Sequence, residues 1–260
     1  MRGTKTYKFV LSAAFFSGVL TFAAGQAPAP NAADAQIQAD VTKALDKKQF
    51  SAVQASVSAG VVTLTGVVPL YADKEDADRR THHRKNVKSV SNEIQVAAGS
   101  IEDATLERKL VGKISTDRIG YGTTAFNSIG VNVQNGVVTL SGVAYGPVDK
   151  DTALSDAANT AGVRDVIDEI EVAPLSGNDD RIRMQVYRAV YGYPMLNKYA
   201  IDPAKPIRIT VINGNVTLTG VVDTKAESDV ANIQANSVSG VFKVTNELQF
   251  STPIPRKGEK

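Results

Sequence analysis

The stretch Gly60-Val61-Val62-Thr63-Leu64-Thr65-Gly66 decides how the chain is read, because it returns twice with almost no change. The copies are Gly136-Val137-Val138-Thr139-Leu140-Ser141-Gly142 and Gly214-Asn215-Val216-Thr217-Leu218-Thr219-Gly220, and their starts lie 76 and then 78 residues apart. A second string keeps the same register: 27 residues after each leading glycine come Val87 to Ile94, Val163 to Ile170 and Val241 to Leu248. Two strings at one fixed offset, three times over, make the chain one unit used three times.

Working outward from the string, Val62 and Leu64 alternate with polar residues, as on a half-buried strand, and Val53, Ala55 and Val57 do the same just before it. Between these runs lies Ser58-Ala59-Gly60, and the later copies place Asn135-Gly136 and Asn213-Gly214 there, a pair favoured where both central residues of a tight hairpin need positive φ. Upstream, Ile37, Val41 and Leu45 recur every four residues and predict a helix from about Ala35 to Lys47. Downstream, Pro69 opens a helical segment carrying Ala77 and Thr81, which align with Ala153 and Ala157 and with Ala231 and Ala235. Small residues four apart on one helix face let its backbone approach a sheet closely. Val90, Asn92, Ile94 and Val96 supply a last strand. The expected fold class is α+β: three tandem small modules, each helix-strand-strand-helix-strand, with two helices packed on one face of a three-stranded sheet.

The second and third copies vary this plan. Copy two starts on a helix with Ile101, Leu106, Leu110 and Ile114, and its loop from Thr116 to Ile129 is enlarged and carries Gly120, Tyr121, Gly122 and Phe126. Copy three starts on Ile182, Val186 and Val190, and its enlargement from Tyr191 to Pro206 is aromatic and apolar for a loop. The modules are expected at 36–98, 101–174 and 179–250, with a linker at 26–35 and a disordered tail at 251–260.

Ahead of the copies, Arg2, Lys5 and Lys8 precede an apolar run from Phe9 to Ala24, and Ala23-Ala24-Gly25 offers small residues for cleavage. That pattern predicts a secretory signal peptide at 1–25 and an exported, periplasmic chain. No cysteine is present, which removes disulfides, thiolate catalysis, cysteine-held metal and a lipoprotein anchor from the expectation. Without Arg2, Lys5 and Lys8, the 29 basic residues fall to 26 against 27 acidic ones, so a nucleic-acid role has little electrostatic support. With 260 residues and 43% hydrophobic content, the chain suits three units of about 70 residues with thin cores.

The two strings together, G-x-V-T-L-[TS]-G followed at constant spacing by [GN]-V-x-x-V-x-[ND]-E-[IL], resemble the BON domain, a module of exported bacterial proteins that include the osmotically inducible periplasmic family. The resemblance runs from about residue 36 to 250. It implies the same helix-strand-strand-helix-strand unit, a role in envelope maintenance and stress protection, contact with phospholipid, and no catalytic residues. Copy one departs from the pattern where Asn86 stands in place of Gly162 and Gly240.

Other readings of the repeated residues are weaker. The glycines flank a strand, and no G-x-x-x-x-G-K-[ST] phosphate loop appears. Asn92-Glu93, Asp168-Glu169 and Asn246-Glu247 are neighbours on a strand, so their side chains diverge and do not converge on one substrate atom. His82 and His83, the two histidines, diverge by about 100° on a helix and suit solvated positions better than one metal ion.

Two surfaces remain as candidate lipid or partner contacts. Arg79, Arg80, Arg84, Lys85 and Lys88 form a basic cluster, partly balanced by Asp73, Glu75, Asp76 and Asp78, that suits anionic headgroups. Tyr191, Tyr193, Met195, Leu196 and Tyr199 form an aromatic segment that either packs on the neighbouring module or, exposed, anchors at a membrane interface. The expectation is a non-enzymatic protein without cofactor, metal, nucleic acid or small-molecule substrate, associating with anionic phospholipid or envelope proteins. The alternative is a soluble stress chaperone that binds unfolded exported proteins through strand edges or apolar loops.

Overall fold

The computed structural model describes residues 32–97, 99, 101–117, 124–201 and 206–250. The leader, the tail, most of the linker and Gly120 to Gly122 lie outside these residues. Module 1 comprises α1 (Ala32–Ala44), β1 (Val53–Ser58), β2 (Val61–Val68), α2 (Tyr71–His82), β3 (Ser89–Asn92) and β4 (Gln95–Val96). Module 2 comprises α3 (Asp103–Asp117), β5 (Ser128–Gln134), β6 (Val137–Ala144), α4 (Pro147–Ala158) and β7 (Asp165–Val172). Module 3 comprises α5 (Gly177–Tyr191), β8 (Arg208–Ile212), β9 (Asn215–Thr219), β10 (Val221–Val222), α6 (Lys225–Asn236), β11 (Lys243–Asn246) and β12 (Gln249–Phe250).

Each module is a mixed sheet in which the repeated string forms the central strand. It pairs antiparallel with the strand before it and parallel with the strand after the second helix, as β1-β2-β3, β5-β6-β7 and β8-β9-β11. The alternation in the string then sets the layers. Val62 and Leu64 are fully buried under Ile37 and Val41 of α1 and Ala77 of α2, whereas Val61 on the other face is exposed. Val138 and Leu140 repeat this in module 2, and Val216 and Leu218 in module 3. Each fully buried Val or Leu of this kind contributes about 1.5 to 3 kcal/mol relative to exposure.

The tight turns have the geometry the Asn-Gly pairs call for: Asn135 and Asn213 have φ of 54° and 51°, followed by glycines at 76° and 75°. Module 1 places Ala59 at the same φ of 51°, a left-handed conformation that costs an ordinary residue about 1 to 2 kcal/mol. One aspartate in the first turn of each module's first helix holds its turn. Asp34 accepts from the backbone N–H groups of Ala59 and Gly60, Asp103 from those of Asn135 and Gly136, and Asp179 from those of Asn213 and Gly214, all at 2.7 to 2.9 Å. The closing glycine of the string is fixed by space as well. A Cβ on Gly66 or Gly142 would lie 2.1 Å from the carbonyl oxygen of Ala52 or Ser128.

The [ND]-E-[IL] string also finds a structural reason. Asn92, Asp168 and Asn246 each accept from the backbone N–H two residues on, and each reaches the second helix of its own module. Asn92 donates to the Lys74 carbonyl, Asn246 donates to Ser228, and Asp168 pairs with Lys150 at 2.8 Å. Asn86, which breaks the glycine pattern, keeps the glycine-like conformation with φ of 65°. Several boundaries differ from expectation: α1 spans Ala32–Ala44, three residues earlier than its stripe suggests, α2 opens at Tyr71 instead of Pro69, and Glu93 and Ile94 part β3 from β4 in what the sequence predicts as one strand. Ile101 precedes α3 and packs on Gly162 instead of lying on the helix, and Tyr191 closes α5 instead of opening a loop.

Modules 2 and 3 share packing that the repeat pattern does not announce. The turn of 3-10 helix at Thr124–Phe126, within the enlarged loop of module 2, places Ala125 and Phe126 in the core cluster of module 3. Modules 1 and 2 meet more sparsely, through α2 against α4, with Tyr71 at the edge of the module 2 core.

Candidate functional site

The aromatic segment is mainly interior. Tyr191, Leu196 and Tyr199 are 7%, 0% and 6% exposed, members of the module 3 core, while Tyr193 and Met195 remain accessible. Tyr191 donates to the Ile207 carbonyl at 2.6 Å and packs at a tilt of 48° against Tyr187, with ring centroids 4.7 Å apart. Burial, reinforced by Tyr187, pushes its phenol far above the usual range. Tyr199 donates to Glu227 and accepts from the Asp223 N–H. Tyr191 at the end of α5 and Leu196 and Tyr199 in the enlarged loop fill the core of module 3, so three of the five candidates are core residues, and an exposed anchor is reduced to Tyr193 and Met195.

The row of rings continues into module 2. Phe126 lies 5.8 Å from Tyr187 and 5.7 Å from Tyr145, and the buried Arg183 guanidinium sits 4.8 Å from the Tyr145 ring centre. Arg183 pairs with Asp180 and donates to the Val211 carbonyl. Alongside, Arg208 at the start of β8 donates to the carbonyls of Thr124 and Asn127, and Ser128 Oγ meets Thr219 Oγ1 at 2.8 Å. Burial draws the Arg208 guanidinium below its ordinary pKa. Phe126 stands out in the sequence only as part of an enlarged loop, and Tyr145, Arg183, Tyr187 and Arg208 do not stand out, because they differ from copy to copy.

The basic cluster at the end of α2 has two halves. Asp76 bridges Arg79 and Arg80 at 2.6 Å each, and these pairs outweigh its partial burial to hold its carboxyl below the usual range. Arg80 also lies 5.9 Å from the Phe50 ring centre. Beyond them, Lys85 and Lys88 are exposed and Arg84 half-buried, and no carboxylate lies within ion-pair distance of the three among the described residues. Arg84 donates to the Arg80 carbonyl and Lys88 to the Ala59 carbonyl. Cations suit this position, where the helix presents unpaired carbonyls. His82 and His83 are exposed here as well, and among the described residues no cluster of metal-ligating side chains forms. The basic cluster belongs to module 1 and Tyr193 with Met195 to module 3, so the two candidate surfaces are separate.

A groove runs between α2 and α4. A section of about 600 Å³ is lined by Tyr71, Glu75, Arg79, Asp151, Leu154 and Val166, among others. A neighbouring section of about 360 Å³ shares Tyr71, Glu75 and Arg79 and adds Lys74, Asp78 and Asn92. Tyr71 faces Glu75 and Asp165, and burial together with their negative charge pushes its phenol far above the usual range.

With fold and surfaces described, the family follows from the chain itself: a family model of the BON domain matches residues 33–98, 102–174 and 178–252, and the chain belongs to the BON-domain family, with three copies in tandem. Among individual proteins, the chain is 22% identical over 191 residues to osmotically-inducible protein Y of Escherichia coli (strain K12), a match covering 72% of this chain and 92% of that one. Two solved structures of CdsD, a structural protein of the type III secretion system of Chlamydia trachomatis, match at 15% and 16% identity. They cover 82% and 83% of this chain and 96% and 92% of theirs, each with a TM-score of 0.23, and add nothing to the fold described above. No helix among the described residues is long and apolar enough to cross a membrane.

Proposed function

We propose that this chain is an exported, periplasmic envelope protein of the osmotic-stress response that works by surface contact and not by catalysis, and that the far end of α2 meets anionic phospholipid. The family and the name of the Escherichia coli relative support the stress-related envelope role, and the leader pattern supports export. The observation that carries the lipid contact is the trio Arg84, Lys85 and Lys88, left without carboxylate partners among the described residues while Asp76 pairs with the two arginines behind it. Each basic residue near an anionic bilayer contributes about 1 kcal/mol, so three together change partitioning by about a hundredfold. Tyr193 and Met195 are a secondary candidate contact.

Co-sedimentation with vesicles tests this reading. At low salt the mature chain is expected to pellet with vesicles containing phosphatidylglycerol and to stay in solution with phosphatidylcholine alone. The triple variant R84E/K85E/K88E loses the pelleting. Equal behaviour with both lipids, or an unaffected triple variant, contradicts the lipid contact.

A further inference from the structure

We propose that the groove between α2 and α4 is a docking site for a basic, extended segment of a partner polypeptide, a second site apart from the cationic end of α2. The two sections share Tyr71, Glu75 and Arg79 and so form one continuous trough along the junction of modules 1 and 2. Its lining carries four carboxylates, Glu75, Asp78, Asp151 and Asp168, against two cations, Lys74 and Arg79. Arg79 is already satisfied by Asp76. Asp168 is paired with Lys150, and Asp78 has only the 3.7 Å approach of His82, whereas Asp151 has no ion-pair partner among the described residues. The lining is net negative; Arg79 is the one residue it shares with the basic cluster, whose members without carboxylate partners among the described residues, Arg84, Lys85 and Lys88, lie beyond the end of α2.

Beneath the carboxylates the trough has an apolar component, Leu154, Ala158, Val166 and the ring of Tyr71. Its size falls in the range of ligand-holding clefts, about 300 to 1,000 Å³. Anionic lipid headgroups are disfavoured by like charge, and a simple polyamine leaves the apolar part uncovered. A chain that alternates lysine or arginine with aliphatic residues satisfies both parts. β7, which contributes Val166 and Asp168, is also the outer strand of its sheet, so extended backbone can lie alongside it.

The test uses the whole mature chain and a fluorescent ten-residue peptide alternating lysine and leucine, with a glutamate-leucine peptide and spermine as comparators. Anisotropy at low salt is expected to show binding of the lysine-leucine peptide alone, weakened about tenfold or more by E75K/D151K, two exposed positions whose exchange leaves the cores untouched. The control R84E/K85E leaves peptide binding within about twofold, which separates this site from the lipid contact. Amide shift mapping on the unaltered chain is expected to mark Tyr71, Leu154 and Val166. Equal binding of spermine or of the acidic peptide, unchanged affinity in E75K/D151K, or shifts confined to other surfaces each overturn the proposal.

Discussion

The two junctions of this molecule join the same kind of module in opposite ways. Between modules 2 and 3, Phe126 crosses into its neighbour's core and Arg208 reaches back to the carbonyls of Thr124 and Asn127. Between modules 1 and 2, helix faces helix across an open trough, with Tyr71 as the main apolar link. A thin-cored module gains stability by sharing its core, and the enlarged loop of module 2 supplies the residues that do so. A module left less tightly joined instead leaves the side chains of its junction lining an open trough. The contrast separates a pair of modules with a shared core from a junction that keeps an open trough.

Phe126→Ala should show the largest effect, because it removes a ring held between Tyr145, Tyr187 and the module 3 core. A loss of about 3 kcal/mol in urea unfolding is expected, with modules 2 and 3 no longer melting together. Tyr71→Ala at the other junction should cost about 1 kcal/mol, since its ring is only half-buried. Equal costs for the two substitutions would erase the difference between the junctions. The smallest effect is a gain: Ala59→Asn brings module 1 to the turn residue of its siblings and should stabilise it by about 0.5 to 1 kcal/mol, read as a raised midpoint of the module 1 transition.

The fold was legible because its causes repeat. Alternation in Val62 and Leu64, the Asn-Gly turns and the small residues of the second helices are local signals, and three copies removed ambiguity. The aspartates that hold the turns were missed for a geometric reason: they precede the turn glycine by 26, 33 and 35 residues, because the loops between helix and hairpin vary. The candidate surfaces were less legible still. Tyr191, Leu196 and Tyr199 carry the composition of a contact and the burial of a core, and composition alone does not distinguish them. The trough draws Glu75 from one module and Asp151 from the next, a convergence that only tertiary packing creates.

Hydrogen exchange along a denaturant series, followed at Leu64, Leu140 and Leu218 on the three central strands, tests the contrast most directly. Leu140 and Leu218 are expected to open together, with one free energy and one denaturant slope, while Leu64 opens as a separate unit. Leu140 following Leu64 while Leu218 opens alone would contradict the account.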